Sequence, residues 1–337
     1  MDFSGSHILS IDQFNRSDIN TLFSAAEVLE PYATRKELTR VLEGAILSNM
    51  FFEPSTRTRI SFGSAFNRLG GAVRETTEMS SSSLTKGESL ADTAQVLSGY
   101  SDIIVMRHPE NGSVDEFAKA SRVPVINGGD GSNEHPTQAL LDLYTIKKEL
   151  TQNNKNLEGL RIALVGDLKY GRAVHSLCKI LSLYEDIKIN LVSPNELKLP
   201  KKYISNSKIQ INETESIEEG VSEVDIIYMT RIQEERFKTA NEANRYKGLL
   251  SLNKEIYTAN CEPNTVIMHP LPRDSRKESN EINADLFDNP NLAIFRQADN
   301  GVVIRMALFA LVLDVLDQVK DTSRKVNWKT TKNIQEQ

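Results

Sequence analysis

The chain has 337 residues, which is enough for two domains that each bury a hydrophobic core. With 39% apolar and 26% charged residues, it has the composition of a globular enzyme. The net charge of −6, without a basic stretch interleaved with aromatic residues, argues against nucleic acid as a partner. There is no apolar run of about 18 residues and no signal-peptide pattern, so we expect a cytoplasmic protein without a membrane partner.

Strand-like and helix-like segments alternate along the chain. The predicted strands are residues 45–52, 102–106, 123–127, 161–166, 188–192, 224–230, 265–269 and 292–296. Several of these are continuous apolar runs, as in buried parallel sheets. Helical patterns lie between them, for example at residues 17–29, 60–69, 90–100, 137–150 and 171–183. This βαβ alternation predicts an α/β fold with mainly parallel sheets flanked by helices.

A polar, Asn-rich stretch at residues 151–158 separates two βαβ series and is the predicted domain boundary. We therefore predict a first domain at residues 1–150 and a second at residues 151–300. The apolar stretch 302–319 is long enough for a packed helix, and residues 321–337 form a polar tail.

Residues 51–59 read FFEPSTRTR and carry the first candidate site. The segment between the predicted strand and the N-terminus of the next predicted helix contains Ser55, Thr56, Arg57 and Thr58. Free backbone N–H groups and the positive end of the helix dipole favour an anion there, and hydroxyls and a guanidinium add donors. A capped helix with surface arginines is the alternative, but a cap requires fewer donors than this run contains. The segment predicts a phosphate site.

This run resembles the carbamoyl-phosphate motif of the aspartate/ornithine carbamoyltransferase family, and further motifs extend the resemblance over residues 9–313. The resemblance implies two domains, each a mainly parallel sheet flanked by helices, with a C-terminal helix (about residues 301–320) that returns to the first domain. It also implies that Ser55, Thr56, Arg57 and Thr58 hold the phosphate of carbamoyl phosphate.

Residues 80–89, SSSSLTKGES, would be a solvated loop on composition alone. The family resemblance implies instead that this loop reaches into the active site of a neighbouring subunit. Lys86 matches the family lysine that contacts the anionic ligands. Ser83 is chosen as the phosphate ligand, with Ser82 as the alternative because the spacing is one residue short of some relatives. A homotrimer with shared active sites is therefore expected, and regulatory chains in a larger assembly are left open.

Two further motifs complete the expected carbamoyl-phosphate site. Arg107 ends a predicted strand and matches the family arginine that binds phosphate and polarises the carbamoyl oxygen. His135 and Gln138 lie three residues apart at a helix start, so both can face one side. A neutral His135 could donate a hydrogen bond to a carbonyl oxygen as negative charge develops there. Gln138 is expected to hold the carbamoyl nitrogen.

The segment from Gly166 to Arg172 suggests nucleotide binding at first sight. Arg172 and Ala173 stand where a P-loop needs lysine and a hydroxyl residue, and the Gly-x-Gly-x-x-Gly pattern is absent. An NTPase or dehydrogenase is therefore rejected. The segment resembles the aspartate-type enzymes instead, in which this arginine binds a substrate carboxylate.

Two segments after predicted strands indicate the substrate subtype. Arg231 can pair bidentately with a carboxylate, and Gln233 can orient it. In the segment HPLPR, prolines flank Leu271, so that its carbonyl and that of Pro270 can accept hydrogen bonds from a carbamoyl NH2; a cis bond to Pro272 is expected. Both segments agree with the aspartate type and differ from the ornithine type. Lys86, Arg172, Arg231, Gln233 and Pro272 form the expected aspartate site.

The resemblance implies transfer of the carbamoyl group of carbamoyl phosphate to the amine of L-aspartate, at the first committed step of pyrimidine (UMP) biosynthesis. We expect catalysis by Arg57, Thr58, Arg107 and His135 through positioning and electrostatics, without a covalent intermediate. No cofactor is expected, and no metal, since Cys178 and Cys261 form no ligand spacing. The alternatives are a different acceptor, such as ornithine, or a non-catalytic scaffold, which should have lost motif residues.

Overall fold

The computed structural model describes residues 1–76, 87–204, 209–276 and 279–328. Ser82, Ser83 and Lys86 lie outside these ranges, as does the tail from residue 329. Two parallel β-sheets flanked by helices make up the fold, which confirms the predicted α/β class.

The first sheet is built from β2 (Ile46–Phe51), β3 (Ala72–Thr76), β4 (Ile103–His108) and β5 (Val125–Asp130). All pairs are parallel, in the order β3-β2-β4-β5. The surrounding helices are α1 (Arg16–Ala33), α2 (Thr56–Arg68), α3 (Leu90–Leu97), α4 (Ser113–Ala120) and α5 (Pro136–Gln152). Alternate residues of β4 enter different hydrophobic clusters, so both faces of the sheet are covered.

The second sheet is built from β6 (Arg161–Val165), β7 (Lys188–Val192), β8 (Gln210–Thr214), β9 (Ile226–Met229) and β10 (Val266–Met268). Its strands are parallel in the order β10-β9-β6-β7-β8. The helices that accompany it are α6 (Arg172–Leu181), α7 (Ile217–Gly220), α8 (Ala240–Asn244) and α9 (Lys254–Asn260).

Helix α10 (Ile294–Val312) leaves the second sheet and packs against α1, α2 and α5. The C-terminal helix therefore returns to the first sheet, as expected from the resemblance. A 3₁₀ segment (Leu316–Thr322) follows it, and the short strands β1 (Glu37–Leu38) and β11 (Arg324–Lys325) pair antiparallel beyond that. None of the helices in the described ranges is both long and apolar enough to cross a membrane.

The strand predicted at residues 292–296 is wrong. Only a bridge between Leu292 and Ile267 is strand-like, and α10 begins at Ile294, earlier than the expected helix start. A short apolar run cannot be assigned to strand or helix by periodicity alone. The edge strands β3 and β8 were not predicted, because their sequences, AVRET and QINET, contain no buried apolar run: β3 is half-buried and β8 is mostly exposed.

The strands bring the candidate site residues to one place. Glu53, Arg107 and Gly131 lie at or just after the carboxyl ends of β2, β4 and β5. Arg231 and His269 follow the carboxyl ends of β9 and β10 in the second sheet. Contacts from Glu53 to Arg172 and Arg236 join the two groups, so the site lies where the carboxyl edges of both sheets meet.

Candidate active site

The phosphate-motif residues lie in the first turn of α2. Ser55 is the N-cap, yet its hydroxyl makes no capping hydrogen bond, so it is not used by the helix itself. Helix α2 begins at Thr56, four residues before the predicted start, which places Thr56, Arg57 and Thr58 inside the turn with free backbone N–H groups. Burial, followed by the positive charge of Arg231, lowers the pKa of Arg57. Two cations therefore approach each other at this helix end.

Glu53 is the centre of the site. Its Oε2 accepts hydrogen bonds from Arg107 Nε at 2.9 Å and from Arg172 Nη2 at 3.0 Å, and its Oε1 accepts one from Arg236 Nη2 at 3.1 Å. Burial disfavours the charge of this carboxylate, but the three arginines outweigh burial and lower its pKa. Burial, followed by the charge of Arg172, lowers the pKa of Arg107 to about 9 despite the Glu53 carboxylate. One carboxylate thus gathers three guanidinium groups, which we call the arginine cluster (Arg107, Arg172 and Arg236).

A backbone carbonyl supports the arginine cluster. The Gly131 carbonyl accepts hydrogen bonds from Arg172 Nη1 and, at 3.1 Å, from Arg236 Nη2. Gly131 has a φ of +51°, and a Cβ atom there would lie 1.9 Å from Asn111 Oδ1. Only glycine fits this turn, so the loop after β5 can approach the arginines through its backbone.

His135 and Gln138 lie at the start of α5, beside the arginine cluster. His135 is the N-cap and is buried; its backbone N–H donates to Ser176 Oγ at 3.2 Å. Burial, followed by the charges of Arg172 and Arg107, holds the pKa of its imidazole well below the usual value. The ring is therefore neutral, as predicted, with burial as the largest cause. Its Nδ1 is buried and has no hydrogen-bond partner among the described residues.

Arg231 already holds a carboxylate. Glu235 accepts from Arg231 Nη1 at 3.0 Å and from Nη2 at 2.6 Å, and the Ile232 carbonyl accepts from Nη1 at 3.0 Å. Burial opposes the charge of Arg231, but Glu235 outweighs it and raises the pKa of the guanidinium. These bonds use the end of the guanidinium formed by Nη1 and Nη2. No side chain or carbonyl of the described residues accepts from Nε, so the edge formed by Nε and Nη2 can bind a second carboxylate.

Asp167 fixes the two segments that carry Arg172 and Arg231. This buried carboxylate accepts from the backbone N–H of Tyr170 at 3.0 Å and of Gln233 at 3.1 Å. Gln233 in turn donates through Nε2 to the Arg231 carbonyl at 3.3 Å. The turn after β6 and the loop after β9 are therefore held in one arrangement.

The loop after β10 is also held by side chains. The Leu271–Pro272 bond is cis, as predicted, and Leu271 has a φ of +52°. The backbone N–H of Leu271 donates to His269 Nδ1 at 2.8 Å, and His269 Nε2 lies 2.8 Å from Glu281 Oε1. The loop therefore has a fixed conformation, in which the Pro270 and Leu271 carbonyls are the candidate acceptors.

Comparisons with known proteins identify the family. Residues 6–148 match the aspartate/ornithine carbamoyltransferase carbamoyl-P binding domain, and residues 158–312 match the Asp/Orn binding domain of the same family. This chain is a member of the aspartate/ornithine carbamoyltransferase family. It is 64% identical to an aspartate carbamoyltransferase catalytic subunit from Cellvibrio japonicus over 331 residues, which cover 97% of this chain and 98% of the relative.

Solved members of the family share the fold. The catalytic subunit of M. Jannaschii aspartate transcarbamoylase is 44% identical, with a TM-score of 0.82 over 92% of this chain and 98% of that chain. An aspartate transcarbamoylase from Trypanosoma cruzi, solved in complex with carbamoyl phosphate, is 36% identical, with a TM-score of 0.84 over 92% of this chain and 97% of that chain.

Most residues expected from the carbamoyltransferase resemblance lie around this one site, whereas Ser83 and Lys86 fall outside the described ranges. Sequence reasoning did not assign Glu53, Arg236 or Glu235 to the site. Glu53 is part of the phosphate motif, and an acid among so many anion-binding donors was the available clue. Arg236 and Glu235 stand in the same run as Arg231, but only the fold reveals their partners. Within the described residues, no group of three or more His, Cys, Asp or Glu side chains is arranged to hold a metal ion.

Proposed function

We propose that this chain is the catalytic subunit of an aspartate carbamoyltransferase. It transfers the carbamoyl group of carbamoyl phosphate to the α-amine of L-aspartate and releases N-carbamoyl-L-aspartate and phosphate, a step of pyrimidine (UMP) biosynthesis. The observation that carries the proposal is the pairing of Arg231 with Glu235, which uses the Nη1–Nη2 end of the guanidinium. The other edge, formed by Nε and Nη2, can then bind a substrate carboxylate. The retained motif residues argue against a non-catalytic scaffold.

Carbamoyl phosphate is assigned to the first sheet. Its phosphate lies on the first turn of α2, with Ser55, Thr56, Arg57 and Thr58 as ligands, assisted by Arg107 and by Ser83 of a neighbouring subunit. The carbonyl oxygen is held by Thr58, Arg107 and His135. The lowered pKa of His135 supports this role, because a neutral imidazole can stabilise a developing oxyanion without repelling the neighbouring arginines. Gln138 and the carbonyls of Pro270 and Leu271 hold the carbamoyl nitrogen.

L-aspartate is assigned to the second sheet. Arg172, Arg231, Gln233 and Pro272 bind it, with Lys86 of a neighbouring subunit. The amine attacks the carbonyl carbon, the new C–N bond forms and the C–O bond to phosphate breaks. The leaving phosphate takes the proton of the amine. Catalysis consists of positioning and electrostatic stabilisation.

The same proposal covers domains and location. Residues 1–150, joined by the C-terminal helix, form the carbamoyl-phosphate domain. The aspartate domain, predicted at residues 151–300, ends earlier, at about residue 293, because α10 begins at Ile294. The packing of α10 on α1, α2 and α5 supports assigning that helix to the first domain. We place the enzyme in the cytoplasm.

Arg231→Lys tests the substrate assignment. A lysine offers a point charge and cannot hold Glu235 and a substrate carboxylate through two separate edges. Weakening a desolvated charge pair costs roughly 2–5 kcal/mol, so kcat/KM for aspartate should fall at least about tenfold. The affinity for carbamoyl phosphate should change little.

Arg161→Lys is the matched control for this test. Arg161 pairs with Asp225 at the opposite, amino end of β6, so its substitution should leave aspartate kinetics unchanged. If Arg231→Lys weakened carbamoyl phosphate and spared aspartate, or if ornithine were the better acceptor for the wild-type protein, the aspartate assignment would be wrong.

The shared site of a homotrimer has its own test. Lys86→Ala and His135→Ala should each nearly abolish activity. Mixed trimers of the two variants should regain part of it, because some interfaces then combine an intact Lys86 with an intact His135. Trimers mixed from two batches of Lys86→Ala provide the control and should stay inactive. Absence of recovery after confirmed subunit exchange would indicate self-contained sites.

A further inference from the structure

Asp142 is a fully buried carboxylate that the proposed mechanism does not use. It lies on α5, one turn after Gln138. Its Oδ1 accepts hydrogen bonds from Gln138 Nε2 at 2.9 Å and from Gln297 Nε2 at 2.7 Å, and its Oδ2 accepts one from Tyr228 Oη at 2.6 Å. A single carboxylate therefore connects α5 with α10 and β9.

Keeping this carboxylate buried is costly. Burial raises the pKa of Asp142 to about 6, although its three hydrogen-bond donors and the positive charge of Arg305 act in the opposite direction. A well-packed apolar side chain would avoid that cost. What the carboxylate provides in return is the orientation of the two amide side chains that donate to it.

An ionised carboxylate only accepts hydrogen bonds, so any amide beside it must turn its NH2 group inward. Gln138 consequently presents Oε1 at the other end of its amide, and this side chain is only half-buried. Gln297 is set in the same way: its NH2 faces Asp142, and its Oε1 accepts from the backbone N–H of His269 at 2.8 Å. His269 Nδ1 then accepts from the N–H of Leu271 at 2.8 Å.

The amides of Gln138 and Gln297 thus both affect the acceptors that, in the proposed function, bind the carbamoyl nitrogen. Gln138 Oε1 is one acceptor for that nitrogen, and the Pro270 and Leu271 carbonyls in the loop held by His269 are the others. We infer that Asp142 is a positioning residue that acts through Gln138 and Gln297, and that it makes the site select an acyl phosphate bearing NH2 over one bearing a methyl group. The inference rests on the proposed function and identifies what sets the specificity of the same site.

The test compares carbamoyl phosphate with acetyl phosphate, in which a methyl group replaces NH2. Dissociation constants for both are measured by calorimetry on the purified full-length chain. Asp142→Ala should weaken carbamoyl phosphate by about tenfold, the effect of one lost hydrogen bond to a fixed acceptor. Acetyl phosphate should change less than about twofold, because its methyl group uses none of these acceptors.

Two variants separate positioning from general damage. Asp142→Asn should keep most of the preference, because its oxygen can still accept from both amides while its NH2 turns to the Tyr228 oxygen. In a Gln138→Ala background, Asp142→Ala should alter the preference much less than it does in the wild type. If Asp142→Ala does not fold, Gln297→Met is tested instead. This substitution removes the hydrogen bond to His269 and should lower the preference for carbamoyl phosphate over acetyl phosphate by about threefold.

Equal losses for both acyl phosphates, or no loss for either, would overturn the inference and leave Asp142 a structural residue. A wild-type protein that does not bind carbamoyl phosphate would contradict the proposed function itself, and one that binds both acyl phosphates equally would overturn the inference. A wild type that prefers carbamoyl phosphate, with the same preference in Asp142→Ala, would contradict only the role of Asp142.

Discussion

Arg107→Ala should lower kcat/KM for carbamoyl transfer by about 10²–10³-fold, the effect of removing one donor to a developing oxyanion. Arg107 is buried at the end of β4, and its pKa of about 9 keeps it charged near neutral pH. Alanine would remove that charge and leave Glu53 with only Arg172 and Arg236. Steady-state kinetics with each substrate varied should show the loss mainly in kcat.

Arg122→Ala is the matched control, since Arg122 is exposed and its guanidinium donates to the Gln95 carbonyl, away from the arginine cluster. Its kinetics should be those of the wild type. A higher KM for carbamoyl phosphate with unchanged kcat in Arg107→Ala would mean that Arg107 binds the ground state and transition state equally, and is not an oxyanion donor.

Glu53→Gln should lower kcat/KM for aspartate by at least about tenfold, roughly 1.4 kcal/mol. Glu53 joins Arg107, from the first sheet, to Arg172 and Arg236, from the second-sheet side. Glutamine keeps the shape but removes the charge shared by the arginine cluster. We expect the two halves to close less readily, so small-angle scattering with a saturating phosphonate–dicarboxylate analogue should give a larger radius of gyration than for the wild type.

The charge of Glu53 also predicts a pH effect. Its pKa is lower in the folded chain, so its contribution to stability is present above the ordinary glutamate pKa and is lost on acidification. Glu213→Gln, which removes an exposed partner of Lys198, is the control for the aspartate kinetics and for the scattering measurement. If Glu53→Gln compacts as fully as the wild type and retains its kinetics, Glu53 does not connect the two halves.

The sequence was most informative about sites whose residues are neighbours along the chain. The donors of residues 55–58 and the His135–Gln138 pair could be located at helix starts because strand-to-helix transitions are visible in the sequence. Contacts between distant segments could not be predicted. Glu53 meets Arg236 across 183 positions, and Gln297 meets Asp142 across 155. No pattern within either segment indicates such a partner, since pairing depends on how the two sheets face each other.

The balance of charge around Glu53 has a consequence for how the two proposed substrates are recognised. Three guanidinium groups around one carboxylate leave two positive charges in excess, whereas Arg231 and Glu235 nearly cancel. An excess of charge attracts an anion before contact, while a neutral pair exerts little force beyond hydrogen-bonding distance. In a chain with a net charge of −6, a dianionic acyl phosphate is therefore attracted from a distance, whereas the carboxylate that binds Arg231 is recognised only on contact, by its shape.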